Sequence, residues 1–269
     1  MGRIVGRLMM KIGGSRLKVA KKNIEVCFPE LSEQERQVML KKNFENTGIG
    51  LFETGMGWWW PDWRVKRKIN VSGLEHLEQA KSDGSGILLL TLHYLSLEFS
   101  GRATGHVHPT VAFYRPNHNA LMEYFQHSGR SRSNKYMIDK TDVKGMIKAL
   151  RSKETCVYLP DQDYGRKRSI FVPFFNVEHT ASTFGTMLFA KVKNVKTLML
   201  IPRRLPDDSG YILEFLPALE NFPSGDDEQD IIRINKLVEQ AILREPDQYM
   251  WLHRRFKTRP NKTAPKFYD

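Results

Sequence analysis

Cysteine is scarce in this chain, and the two present, Cys27 and Cys156, form no CxxC pair. Neither a disulfide framework nor a cysteine zinc site is indicated, and a reducing compartment fits best. Long apolar runs are also missing. The purest, Ile87 to Leu92, falls well short of the roughly 18–20 residues that a spanning helix needs. The start lacks the unbroken apolar stretch of a secretory signal, because Arg3, Arg7 and Lys11 interrupt Gly2 to Ile12. No internal repeat, low-complexity tract or Gly/Ser linker divides the chain, so one domain over residues 1–269 is the expectation. His106, His108 and His118 occur without a helical HExxH pattern, and no metal site is expected.

Acid is short overall and absent from residues 1–22, which hold seven Lys or Arg interleaved with Ile4, Val5, Leu8, Met9, Met10 and Ile12. That segment reads as a basic amphipathic helix for an anionic membrane surface, or as an ordinary solvated helix capping the domain. Across the chain 42 basic residues face 30 acidic ones, for a formal charge of +12. The preferred partners are therefore anionic: a lipid face, an acidic protein or nucleic acid. No RNP, KH, zinc-finger or helix-turn-helix pattern supports the last of these. A second basic block, Arg254, Arg255, Lys257, Arg259, Lys262 and Lys266, suits acidic sugars or phosphates, or is a solvated tail.

An apolar content of 41% over 269 residues is enough for a substantial core. Ser32 and Glu35 have capping-box spacing and open a helical stretch toward Met56, which ends at Trp58, Trp59, Trp60, Pro61 and Trp63. These tryptophans fit either a membrane interface or a core that closes one end of a sheet. Beyond them, apolar runs at 87–92, 110–114, 155–159, 196–201 and 211–216 read as strands. Segments 95–104, 119–128, 141–151, 182–192 and 226–243 read as helices, with Thr141 and Ser182 as N-caps. This alternation predicts an α/β fold with a mixed central sheet sandwiched by helices.

The chemistry is concentrated where those strands end. His93 follows the apolar run at 87–92 directly, at a strand's C-terminal tip, where ligands bind in open α/β sheets. Glu98, five positions on in HYLSLE, is placed to fold back on the imidazole, fix its tautomer and stabilise the imidazolium. The alternative is a loop histidine next to a helix N-terminal acid. YRP at 114–116, GRSRSN at 129–134 and YLPDQDYG at 158–165 add Arg115, Arg130 and Asp161. The arginines suit phosphate or a developing oxyanion, and Asp161 would orient one of them.

Together with FVPFF and YMWLHRRFKTRP, and with a match that extends from NIEVCFPELS to RRFKTRP, these strings resemble the lipid A late acyltransferases of Gram-negative bacteria, above all the lauroyltransferase branch. The resemblance implies a glycerolipid-acyltransferase-like domain that moves an acyl chain from acyl carrier protein to a hydroxyl on a hydroxyacyl chain of the sugar-modified lipid A precursor. It implies lauroyl as the first donor and palmitoleoyl as the second, at the cytoplasmic face of the inner membrane, with no metal or organic cofactor needed. His93 and Glu98 match the family's H-x4-D/E motif, Arg130 and Asp161 match functionally important positions, and Arg115 matches a recurring motif of less defined role. Family members usually carry a transmembrane helix ahead of the basic segment, whereas this sequence starts at that segment, which points to a shortened chain or a peripherally bound form. The runner-up, an acyltransferase acting on glycerol phosphate or lysophospholipid, lacks its usual proline-glutamate-glycine motif here, the matching place being LPDQDYG.

Overall fold

The computed structural model describes residues 1–268. The N-terminal part is helical: α1 (Gly2–Ile12), α2 (Gly14–Cys27), the long α3 (Glu33–Trp59) and the short α4 (Asp62–Lys66). Helix α3 starts as its sequence requires. Ser32 Oγ accepts from Glu35 N–H at 3.3 Å, and Glu35 Oε2 accepts from Ser32 N–H at 2.8 Å. Helix α1 lies backbone to backbone on α3. A Cβ on Gly6 would overlap the Phe44 carbonyl, and one on Gly48 would overlap the Gly2 carbonyl, so only glycine permits this approach.

The rest of the chain follows the order β1 (Ile69–Ser72), α5 (Leu74–Lys81), β2 (Gly86–Leu90), α6 (Leu97–Val107), β3 (Thr110–Tyr114), α7 (Ala120–Ser131), β4 (Asn134–Asp139), α8 (Val143–Arg151) and β5 (Thr155–Tyr158). Then come β6 (Ser169–Phe174), β7 (Val177–Thr183), α9 (Gly185–Ala190), β8 (Val195–Arg204), β9 (Tyr211–Phe215) and α10 (Asp227–Arg244). Seven strands form one sheet in the order β1-β9-β8-β2-β5-β3-β4, while β6 and β7 make a separate antiparallel hairpin. All neighbours in the large sheet are parallel except β8 and β9, so the sheet is mixed.

Strand β2 lies at the centre and is buried throughout, because helices cover both faces. Its Ile87 and Leu89 pack with Leu77, Phe99 and Ala103 on the α5–α6 side. Leu88 and Leu90 pack with Met146, Leu150 and Phe189 on the α8–α9 side. A third core, containing Phe44, Tyr94, Phe174 and Trp251, joins the N-terminal helices to the C-terminal segment.

Two expected helix starts are corrected. Ser182 lies inside β7, where β-branched Thr180 and Thr183 favour extended backbone, and the helix begins later at Gly185. The cap of α8 is Asp142 rather than Thr141, with Asp142 Oδ1 accepting from Gly145 N–H at 2.8 Å. Among the described residues no helix is long and apolar enough to cross a membrane.

Candidate active site

The register of the sheet builds the site. Leu90 of β2 pairs with Tyr158 of β5, and His93 and Asp161 stand equally far beyond that pair in their strands' exit loops. They meet there. Asp161 Oδ2 accepts from the His93 backbone N–H at 2.8 Å, and its Oδ1 lies 2.7 Å from His93 Nδ1. An ionised carboxylate only accepts, so this contact places the imidazole proton on Nδ1. Nε2 is left with its lone pair, without a protein partner among the described residues, and the ring lines a cavity of about 870 Å³. Burial opposes ionisation of Asp161, but the charge of His93 and its hydrogen bonds hold the carboxyl below its usual range.

The C-terminal segment straps both loops. His93 O accepts from Met250 N–H at 3.0 Å, and Leu95 N–H donates to Gln248 O at 2.8 Å. Tyr249 Oη donates to Asp161 O at 3.3 Å, and Tyr94 Oη donates to Ala241 O at 2.5 Å. These bonds fix the backbone that carries the imidazole.

Glu98 does not partner His93, which corrects the expected pairing. Helix α6 begins at Leu97 and directs Glu98 toward α3 and α7 instead. There, Glu98 Oε2 accepts from Trp58 Nε1 at 2.8 Å and from Arg130 Nε at 3.0 Å, while Arg130 Nη2 donates to Oε1. Arg130 sits in the last turn of α7, and both side chains line the same cavity as His93. Burial works against the Glu98 charge, but the bonds and charge of Arg130 and the Trp58 bond outweigh it, keeping the carboxyl below its usual range. The two carboxylates have thus exchanged their expected roles: Asp161 holds the histidine, and Glu98 holds an arginine.

Arg115 follows β3 at the cavity mouth, where its Nη2 lies 3.0 Å from His118 Nε2. Lys140 and Arg168 line the same mouth, and none of the three makes an ion pair among the described residues. Burial, then the charges of Arg115 and Arg168, push the Lys140 ammonium down. Such a cationic rim favours a bound anion.

His253 joins the site without having been singled out from the sequence. It lines the cavity, and its Nε2 accepts from Asp163 N–H at 3.3 Å. Burial, then the charge of His93, push its pKa down to about 4, so the ring is neutral at physiological pH. Its only signal in the sequence is the string LHRRFKTRP, which basic residues dominate. One of these, Arg255, is not a solvated cation at all: it is 2% exposed and donates to Ala181 O at 2.5 Å and Ser182 Oγ at 3.0 Å.

His106 and His108 have separate partners, His106 lying 3.7 Å from Asp62 and His108 Nε2 2.9 Å from Thr155 Oγ1. The tryptophans divide as well. Trp58 is buried on Glu98, whereas Trp59 and Trp63 are 62% and 61% exposed.

Residues 1–258 match the family described as bacterial lipid A biosynthesis acyltransferase. Over 263 residues the chain is 46% identical to the lipid A biosynthesis lauroyltransferase of Escherichia coli K12, a match that covers 98% of this chain and 86% of that protein. Over 260 residues it is 43% identical to the lipid A biosynthesis palmitoleoyltransferase of the same organism, with 97% and 85% covered. Among solved structures it is similar to the 1-acyl-sn-glycerophosphate acyltransferase PlsC of Thermotoga maritima, with 12% identity, a TM-score of 0.41, and 88% of this chain and 97% of that one covered.

Proposed function

The chain belongs to the bacterial lipid A biosynthesis acyltransferases, and from that premise we propose that it transfers a lauroyl chain, with palmitoleoyl as second donor, from acyl carrier protein to a hydroxyl on a hydroxyacyl chain of the Kdo-modified lipid A precursor. The observation that carries the mechanism is the His93–Asp161 pair, whose free Nε2 faces a large cavity with a cationic mouth.

In this reading Asp161 fixes the Nδ1–H tautomer, and His93 Nε2 takes the proton from the acceptor hydroxyl. The oxygen attacks the thioester carbonyl, the C–S bond breaks, and the imidazolium returns its proton to the departing thiolate. Asp161 stabilises the imidazolium in between. Arg130, locked by Glu98 and Trp58, offers a preorganised cation to the developing oxyanion or to acceptor phosphate. The rim of Arg115, Lys140 and Arg168 suits the phosphates of either substrate.

Membrane attachment fits α1. Its Gly2 and Gly6 face α3, which leaves Ile4, Leu8 and Ile12 on the outward side at 61%, 53% and 84% exposure. An apolar stripe turned away from the protein, with Lys11 beside it, suits a helix lying in the interface of an anionic membrane. The electrostatic share is smaller than seven free charges would give, because Arg3 pairs with Asp208 at 2.6 Å and Arg7 with Glu45 at 2.6 Å. Attachment at the cytoplasmic face of the inner membrane follows from where an acyl carrier protein donor is found.

The test is acyl transfer by the purified protein, with lauroyl- and palmitoleoyl-carrier thioesters, the Kdo-modified precursor, and mass spectrometry of the lipid. The precursor should gain one acyl chain. Transfer only to lysophospholipid or glycerol phosphate would replace this reading with the runner-up.

A further inference from the structure

Helix α6 forms one wall of the cavity from Leu97 to Thr104, a span of about 10 Å at 1.5 Å per residue. Near the middle of that wall stands Gly101, inside a helix that a glycine weakens relative to alanine. Nearby glycines have a packing reason. A Cβ on Gly57 would lie 2.6 Å from the Glu98 carbonyl oxygen, one on Gly105 2.7 Å from the Ser133 carbonyl carbon, and one on Gly129 2.6 Å from Trp58 Cδ1. A Cβ on Gly101 would meet nothing within 4 Å. What lies beside it is the cavity.

The wall around Gly101 suits hydrocarbon. Ala112, Val157 and Leu200 contribute apolar surface, and the nearby hydroxyls are mostly committed elsewhere. Thr104 Oγ1 donates to Ser100 O at 2.8 Å, Thr110 Oγ1 donates to Asn134 Oδ1 at 2.9 Å, and Ser100 Oγ lies 3.2 Å from Ser96 Oγ. Thr91 Oγ1 is the exception among these, buried without a partner. Charge on the α6 side is paired, Glu98 with Arg130 and Arg102 with Asp62, whereas Arg115, Lys140, Arg168 and Lys257, which also line the cavity, make no ion pair among the described residues. A thioester held with its carbonyl at His93 and its phosphate-bearing arm at these free cations can lay its chain along the α6 wall.

We propose that Gly101 gauges the length of the acyl chain: the open space over its Cα is filled by the donor's hydrocarbon, and the side chain at this position sets how many methylenes the cavity accepts. This inference rests on the acyl-transfer reading. A Cβ at this position meets nothing within 4 Å, so alanine fits without a clash and a larger side chain extends from there into the cavity.

The experiment measures kcat/KM of wild type, Gly101→Ala and Gly101→Leu with a series of acyl carrier thioesters from octanoyl to palmitoyl, on one fixed acceptor. Each methylene that no longer fits lowers kcat/KM by about 10-fold or more. Gly101→Leu is expected to lose lauroyl transfer to that degree while octanoyl or decanoyl becomes the preferred donor. Gly101→Ala should move the optimum in the same direction by less, and thermal melting should show both variants folded, with the helix strengthened. An unchanged donor profile at normal activity overturns the assignment. So does an unchanged donor profile with a raised acceptor KM, which would put the acceptor's chain in the space instead. Failure of wild type to use any of the thioesters would count against acyl transfer itself, a different result from either.

Discussion

Asp161→Asn is the sharpest perturbation of the site, because the geometry dictates how the new side chain must sit. Asp161 accepts two hydrogen bonds, from the His93 backbone N–H at 2.8 Å and from His93 Nδ1 at 2.7 Å. The backbone group only donates, so the asparagine oxygen must face it, and the amide NH2 then faces Nδ1. Nδ1 becomes an acceptor, the ring proton moves to Nε2, and the nitrogen that faces the cavity no longer has a lone pair for the acceptor hydroxyl. Loss of tautomer control in a histidine–carboxylate pair costs about a thousand- to ten-thousand-fold in turnover, or about 4–5.5 kcal/mol of barrier at 1.36 kcal/mol per tenfold. The fold should persist, since the substitution is isosteric and removes a charge from a fully buried position. Stability supplies a second readout. The folded Asp161 carboxyl titrates below its unfolded value, so its contribution is present above an unfolded pKa of about 3.9 and is lost as pH falls through the folded one. The assay is single-turnover transfer of labelled laurate, with urea melts at pH 7 and below pH 4. Glu98→Gln, which leaves the dyad untouched, should cost about 10- to 100-fold through a loosened Arg130. A mild effect of Asp161→Asn beside a drastic one of Glu98→Gln would refute the assignment of the two carboxylates.

Away from the site, Glu53 accepts from Arg204 Nε at 2.7 Å, Arg204 Nη2 at 2.8 Å and Tyr211 Oη at 2.5 Å, in a pair that is 1% and 6% exposed. Glu53→Ala strands the buried guanidinium and should lower unfolding free energy by about 3–5 kcal/mol in urea melts, a loss under about 1 kcal/mol showing that water replaces the carboxylate. On α1, replacing exposed Ile4, Leu8 and Ile12 together with serine leaves the glycine contact with α3 in place. Co-sedimentation with anionic vesicles should fall by at least about 10-fold, each buried aliphatic side chain being worth about 1.5–3 kcal/mol, while the melting temperature stays close to that of wild type; undiminished binding would remove α1 from the membrane surface.

The centre of the sheet was legible and its edges were not, for a physical reason. β2 is covered on both faces and therefore reads as an unbroken apolar run, as do most of β5 and β8. β1 and β4 form the two edges of the sheet. Each is only partly covered, and INVS and NKYMID mix polar with apolar residues as half-solvated strands do. Neither segment carries a run long enough to announce itself. The hairpin of β6 and β7 escaped likewise, because Pro173 and the polar residues around Thr180 break the apolar pattern. The capping box of α3 was readable because its whole signal lies within four residues.

The site divides along the same line between local and distant information. A histidine at a strand end can be found from a local pattern, and so can a carboxylate near a helix start. Which of them touch cannot, because the His93–Asp161 contact depends on β2 pairing with β5 in one register, across 68 positions of sequence. Spacing of five favoured Glu98 as the partner, yet a residue in the first turn of α6 has its direction fixed by the helix, and that direction leads to Trp58 and Arg130. This separation has a chemical consequence. A carboxylate shared between histidine and arginine would have its charge divided between fixing the base and fixing the cation, and protonation during turnover would disturb both. With Asp161 on one and Glu98 on the other, each carboxylate stays ionised on its own partner. In the proposed reaction His93 gains and returns a proton in every cycle while the guanidinium that lines the same cavity remains in place.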